Sequence, residues 1–268
     1  MTSARTGTLA RLRDRIARIE TDGPGGMPGR VALGHGEADA VLQGGLARGV
    51  LHEVFAEGRH SAAAAGFIAG LAQRVSADRP LLWVRQDFAA VECGALSMPG
   101  WRELGLDPRR VVSVHAPDVE TALRTSADAL ACDALGAVVM EVWGETRLLD
   151  LVASRRLTLA ARASGVAGLL LRVAAAPLPS TAETRWIVRP ARSSPGAAWQ
   201  AWGAPAFDTQ LVRNRHGRTG QWIMEWKCDE CLFRDASLPR GATHSQSLAA
   251  APADRPDRAR VVAFRRAG

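Results

Sequence analysis

Gly49-Val-Leu-His-Glu-Val-Phe55-Ala56-Glu-Gly-Arg-His-Ser61-Ala62-Ala63-Ala-Ala65 has the outline of a strand, a tight loop and a helix of small residues. That order is the outline of a phosphate-binding loop, G-x-x-x-x-G-K-[ST]. Such a loop works because its glycines let backbone N–H groups wrap the phosphates, its lysine reaches the β/γ oxygens and its hydroxyl holds magnesium. Here Ala56 stands where the first glycine belongs and Ser61 where the second does, while Ala62 and Ala63 replace the lysine and the Ser/Thr. Lys227, the only lysine in the chain, lies far from the loop. The expectation is the outline of a nucleotide-binding protein without its phosphate chemistry: no catalytic residue, no cofactor and no ATPase activity.

Outward from this loop the pattern alternates. Strands are expected at 50–55, 80–84, 111–115, 137–142 and 168–173, and helices at 62–75, 119–131 and 148–164, with a looser helical stretch around Trp101 and Leu104. Short apolar strands between amphipathic helices imply an α/β fold with a mostly parallel sheet covered on both faces. After Pro177 the helices stop. Residues 184–189, 207–213 and 221–226 read as strands, the last two joined by a turn at His216-Gly-Arg-Thr-Gly220, which adds antiparallel strands at one edge.

Upstream, residues 8–20 place Leu9, Leu12, Ile16 and Ile19 on one helical face and Arg11, Arg15 and Arg18 on another. The Gly23-Pro-Gly-Gly-Met-Pro28 stretch makes this an N-terminal helical arm. The expected organisation is an arm and hinge at 1–28, one domain at 29–235 and a flexible tail at 236–268, the tail ending in the apolar-basic patch Val261-Val-Ala-Phe-Arg-Arg266.

A chain with 47% apolar and 23% charged residues buries a core. No apolar run approaches the ~20 residues of a membrane span, and the first 25 residues lack a signal-peptide core, so a cytoplasmic protein is expected. Cys93 and Cys132 sit among apolar residues and read as small core side chains. Cys228-Asp-Glu-Cys231 is a lone C-x-x-C; zinc needs two more ligands, and His216 is the one nearby candidate, so no metal site is expected. The histidines form no metal or general-base spacing, and no G-x-S-x-G elbow appears.

The net charge is +7, and the surplus lies in the flanks, chiefly beyond residue 175. A basic flank suits an acidic partner or a polyanion. The candidate contacts to partner or DNA are Arg11, Arg15, Arg155, Arg156, Arg185, Arg213, Arg215 and Arg218. Arg155 and Arg156 either contact a partner or pair with Asp150 or Glu145 on a solvated face. Five tryptophans (Trp186, Trp199, Trp202, Trp222 and Trp226) fall among these later arginines. Trp186, Trp222 and Trp226 are expected in the core, and Arg213, Arg215 and Arg218 on an exposed basic patch beside the turn.

The order of parts over roughly residues 30–190 resembles the RecA recombinase core. A finer match is carried by Gly44-Gly-Leu-Ala-Arg-Gly-Val-Leu-His-Glu-Val54, Leu82-Trp83-Val84, Ser154-Arg155-Arg156-Leu157, Thr184-Arg185-Trp186, Leu211-Val-Arg213-Asn-Arg215 and Trp222-Ile-Met-Glu225-Trp226. Together these resemble ImuA, a RecA-like family of bacterial DNA-damage-inducible mutagenesis proteins. The resemblance implies a RecA-like core and a non-catalytic accessory or scaffold role in SOS-induced error-prone translesion synthesis. The implied partners are an ImuB-like inactive Y-family polymerase, an error-prone replicative-type DNA polymerase and RecA, with weak DNA binding and association with the nucleoid during damage. A RecA-type ATPase also needs acids near two strand ends. Here Asp87 and Glu141 fall closest to them, and neither compensates for the missing loop groups. Two other readings fit a stripped RecA-like fold: a SulA-type cell-division inhibitor acting on FtsZ, and a DNA-binding modulator of RecA.

Overall fold

The structure is a computed structural model, and it describes residues 29–193 and 203–236. The expected arm with Arg11 and Arg15, the two tryptophans Trp199 and Trp202, and residues 237–268 lie outside the described residues.

A nine-stranded sheet organises the domain. Its strands are β3 (Leu51–Ala56), β4 (Leu81–Gln86), β5 (Val111–Ala116), β6 (Ala137–Trp143), β7 (Ala167–Val173), β8 (Thr184–Pro190), β9 (Ala206–Asn214), β10 (Gly220–Lys227) and β11 (Leu232–Asp235). Their spatial order is β11-β10-β9-β8-β3-β7-β6-β4-β5, parallel from β8 to β5 and antiparallel from β8 to β11. This is the α/β architecture expected of a RecA-like core. The central strands β3 and β7 are buried along their whole length, as strands covered on both faces are, with His52, Glu53 and Arg172 the polar residues among their apolar ones. A two-stranded ribbon, β1 (Arg30–Val31) with β2 (Leu46–Ala47), encloses the short helix α1 (Gly36–Val41).

One face of the sheet is covered by α2 (Ser61–Ser76). It buries Phe67, Ile68, Leu71 and Val75, each side chain contributing about 1.5–3 kcal/mol when fully removed from water. Phe67 meets Phe233 at 5.2 Å and Trp186 at 5.6 Å, and Trp226 meets Phe233 at 4.8 Å. Gly70 makes this approach possible, because a Cβ there would sit 2.7 Å from the Phe233 ring. Trp186 and Trp226 are therefore core, with Trp222 at its margin. The opposite face carries α5 (Val119–Leu130) and α6 (Leu151–Ser164) over Leu51, Val84, Leu130, Val138, Leu157 and Leu170. Asp118 and Asp150 begin these helices as N-caps, accepting from Thr121 N–H at 2.7 Å and Ala153 N–H at 2.8 Å. The looser stretch resolves into α3 (Asp87–Cys93) and α4 (Met98–Glu103). Among the described residues no helix is long and apolar enough to cross a membrane.

Candidate functional site

The stretch that opened the sequence reading runs from β3 through a 3-10 turn, Gly58–His60, into α2. Ala56 is the buried last residue of β3, Ser61 opens α2, and Ala62 is exposed in its first turn with Ala63 half-buried beside it. Where a phosphate-binding loop presents a cation and a hydroxyl, this helix presents methyl groups.

Below that helix end lies a concavity of about 360 Å³, lined among others by Ser61, Ala62, Trp83, Arg85, Trp101 and Glu141. Glu141 lies in the buried part of β6, and Arg85, its register partner, comes from the neighbouring β4. Their side chains are almost wholly buried, with Arg85 Nε 3.0 Å from Glu141 Oε2 and Nη2 3.1 Å from Oε1. Trp83 Nε1 donates to Glu141 Oε2 at 2.9 Å, and Arg85 also donates to the Gly94 carbonyl. Glu141, the acid that falls nearest the expected magnesium-ligand position, is thus already paired and hydrogen-bonded. Asp87, the other candidate acid, opens α3 and pairs with His115 at 3.3 Å on the surface. Cys93 packs against this ion pair, its Sγ 2.9 Å from Arg85 Nη2, so it is no apolar core residue; burial pushes its thiol up from the ordinary value. Cys132 is exposed, contrary to the core position expected of it, because it lies beyond the end of α5, whose last residue, Leu130, is buried.

The candidate contact arginines separate by partner. Arg185 is not a free surface group: its Nε donates to Glu53 at 2.8 Å, its Nη2 to Ser180 Oγ at 3.0 Å, and its guanidinium lies 5.5 Å from the centre of the Phe55 ring. Arg213 is half-buried and donates to the Ser180 carbonyl at 2.8 Å. Arg215 and Arg218 are exposed on the β9–β10 turn, and no described carboxylate lies within ion-pair distance of either. The turn itself is fixed, since Asn214 Nδ2 donates to Val41 O at 3.0 Å and to Arg218 O at 3.1 Å. Arg155 and Arg156 are exposed on α6. They do not pair with Asp150 or Glu145: the first caps α6, and the second accepts from the Ala176 N–H at 2.6 Å. Arg11 and Arg15 lie outside the described residues.

Cys228 and Cys231 flank the β10–β11 turn, whereas His216 sits at the other end of β10, 3.9 Å from Glu183. The three do not converge on one point. Burial raises both thiols above their ordinary value.

Sequence reasoning missed Arg172. It is 2% exposed at the end of β7, donates to the Gly144 carbonyl at 3.3 Å, lies 5.9 Å from the Phe55 ring centre, and is pushed down from the usual arginine range by desolvation. Nothing local in Leu-Leu-Arg-Val announces this; only the stacking of β3 beside β7 creates it.

No family model matches the chain. Two curated proteins, each called "Protein ImuA" and each from a strain of Caulobacter vibrioides, are 32% identical to it over 200 residues, covering 68% of this chain and 77% of theirs.

Proposed function

The chain belongs to the ImuA family, and we propose from that premise that it is a non-catalytic accessory protein of DNA-damage-induced mutagenesis. In this reading it holds the other members of an error-prone translesion complex together. An ImuB-like inactive Y-family polymerase and an error-prone replicative-type polymerase are its partners, with RecA as a further contact, in the cytoplasm. The observation that carries the non-catalytic part is the Arg85–Glu141 pair beneath Ala62. A triphosphate seated there meets alanine methyl groups in place of the lysine, and a Glu141 already paired with Arg85. Removing one charge-stabilising donor from a catalytic site costs about 10²–10³ in rate, and here the lysine, the hydroxyl and the acid are all unavailable.

The test is damage-induced mutation frequency in cells deleted for the endogenous copy. Re-expression of this chain restores it, and Ala62→Trp, which blocks the concavity, restores it equally. Failure of the parent chain to restore mutagenesis overturns the accessory role; failure of Ala62→Trp alone, with its fold intact, overturns the silent site.

A direct hold on DNA is the second reading, favoured by the exposed Arg215 and Arg218 on a rigid turn.

A further inference from the structure

The helix α6 is apolar on the side that the sheet does not cover. Its inner face is Ser154, Leu157, Thr158 and Ala161, and the polar members of that face are satisfied locally: Ser154 Oγ donates to Leu151 O at 2.9 Å, and Thr158 Oγ1 to Ser154 O at 2.9 Å. Outside, Leu148, Leu151, Val152 and Leu159 are each about half exposed or more. They are half of the large apolar side chains exposed among the described residues, gathered within twelve positions. A soluble surface scatters such residues singly, and a cluster marks a contact.

Leu148 and Val152 of this cluster line a groove of about 520 Å³ between α5 and α6, together with Leu123, Ala127, Leu157 and Arg156. Glu120, Arg124 and Asp150 also line it. Arginines punctuate it at helical spacing. Leu151, Arg155 and Leu159 form one row, Val152 and Arg156 the next. No described carboxylate lies within ion-pair distance of Arg155 or Arg156. The nearby acids are engaged: Glu120 with Arg124, Asp150 with the α6 N-terminus, Glu145 with the Ala176 N–H.

We infer that this groove is a docking surface for an acidic amphipathic helix of another protein, laid alongside α5 and α6 as a third helix. Apolar side chains at i, i+3 or i+4 and i+7 enter between Leu123, Leu148 and Val152, and flanking Asp or Glu side chains meet Arg156 in the groove and Arg155 on the exposed surface of α6 beside it. The apolar content decides against nucleic acid. A phosphate track does not interleave its arginines with bare leucines, and the groove has no aromatic ring on which a base stacks. The assignment rests on the accessory reading above, because a protein that acts by assembly needs such a face.

The experiment selects random phage-displayed peptides of about sixteen residues, four turns of helix, on the immobilised full chain. Enriched sequences carry Leu, Ile or Phe every three to four positions with Asp or Glu between them. Their affinity falls by on the order of tenfold or more, about 1.4 kcal/mol, for both Arg155→Glu/Arg156→Glu and Val152→Asp. All these positions are exposed, so both variants keep the parent's circular dichroism and thermal midpoint. Absence of enrichment, enrichment without acids, or equal binding to the variants overturns the inference. So does loss of single-stranded oligonucleotide binding, rather than peptide binding, in Arg155→Glu/Arg156→Glu. Should the peptides fail while the parent chain still restores mutagenesis, the groove alone is wrong. Should mutagenesis not be restored, the accessory role itself falls.

Discussion

Arg85 and Glu141 face one another across adjacent parallel strands, 3.0 Å apart and almost fully buried, under the helix that a phosphate-binding loop would serve. An isolated carboxylate in that position costs several kcal/mol to bury, and the guanidinium offsets it only while both partners are present.

Arg85→Met therefore destabilises the fold by about 3–5 kcal/mol, by leaving the carboxylate buried without its cation. Arg85→Met/Glu141→Leu loses less than Arg85→Met, although Trp83 Nε1 then lacks its acceptor at a cost of about 1–3 kcal/mol. Urea unfolding midpoints of the three chains check the order. A double variant weaker than the single one contradicts the ion-pair account.

His52 makes stability pH-dependent. The ring is fully buried on β3, with Nε2 2.8 Å from the Ala47 carbonyl and Nδ1 2.8 Å from Thr184 Oγ1, which also accepts from Trp186 Nε1 at 3.1 Å. In the neutral tautomer Nε2 donates to Ala47 and Nδ1 accepts from the threonine hydroxyl. Burial lowers the pKa in the folded state, so below about pH 6.5 the unfolded chain takes up a proton that the folded ring refuses. Stability is flat above that pH and falls as pH drops below it. In His52→Gln this share of the slope below about pH 6.5 disappears; an unchanged slope in thermal unfolding contradicts the assignment.

Gly105 and Gly94 separate steric from conformational cost. Both have positive φ, +78° and +77°, but a Cβ on Gly105 would lie 1.9 Å from the Cys228 carbonyl while one on Gly94 meets nothing within 4 Å. Gly94→Ala costs about 1–3 kcal/mol through backbone strain. Gly105→Ala costs more, because the β10–β11 turn must move off the end of α4. Equal losses in chemical denaturation contradict the close packing.

The arginines divide in the same way. Arg185→Ala breaks its pair with Glu53 and lowers stability by about 3 kcal/mol with no effect specific to DNA. Arg215→Ala/Arg218→Ala leaves stability within about 0.5 kcal/mol. If DNA is held at this turn, that double variant reduces the salt dependence of retention by about one to two phosphates' worth. Unchanged retention removes the turn from any DNA contact.

The parallel half of the fold was legible because its strands are short and rich in apolar residues and its helices have a clear period: residues 168–173 and 62–75 match β7 and α2 to within about a residue. The ribbon β1–β2 was not, since two-residue strands have no period to read. Nor was β11, which follows a polar Cys-Asp-Glu-Cys turn and is held by Phe233 packing on Phe67, a contact 166 positions away in sequence. The altered loop at Ala56, Ser61, Ala62 and Ala63 could be read directly because a motif is local. The Arg85–Glu141 pair, the burial of Arg185 by Glu53 and the solitary Arg172 depend on which strands become neighbours. The exposure of Leu151 and Leu159 was not legible either, because the period of a helix does not say which of two apolar faces the sheet covers.

The central claim is that a phosphate-binding architecture persists here with its fuel chemistry removed. Steady-state ATP hydrolysis by the purified full chain, with and without single-stranded DNA, tests it most directly. The account predicts no turnover above buffer in either condition. Robust turnover that vanishes in Glu141→Gln or Asp87→Asn would contradict it.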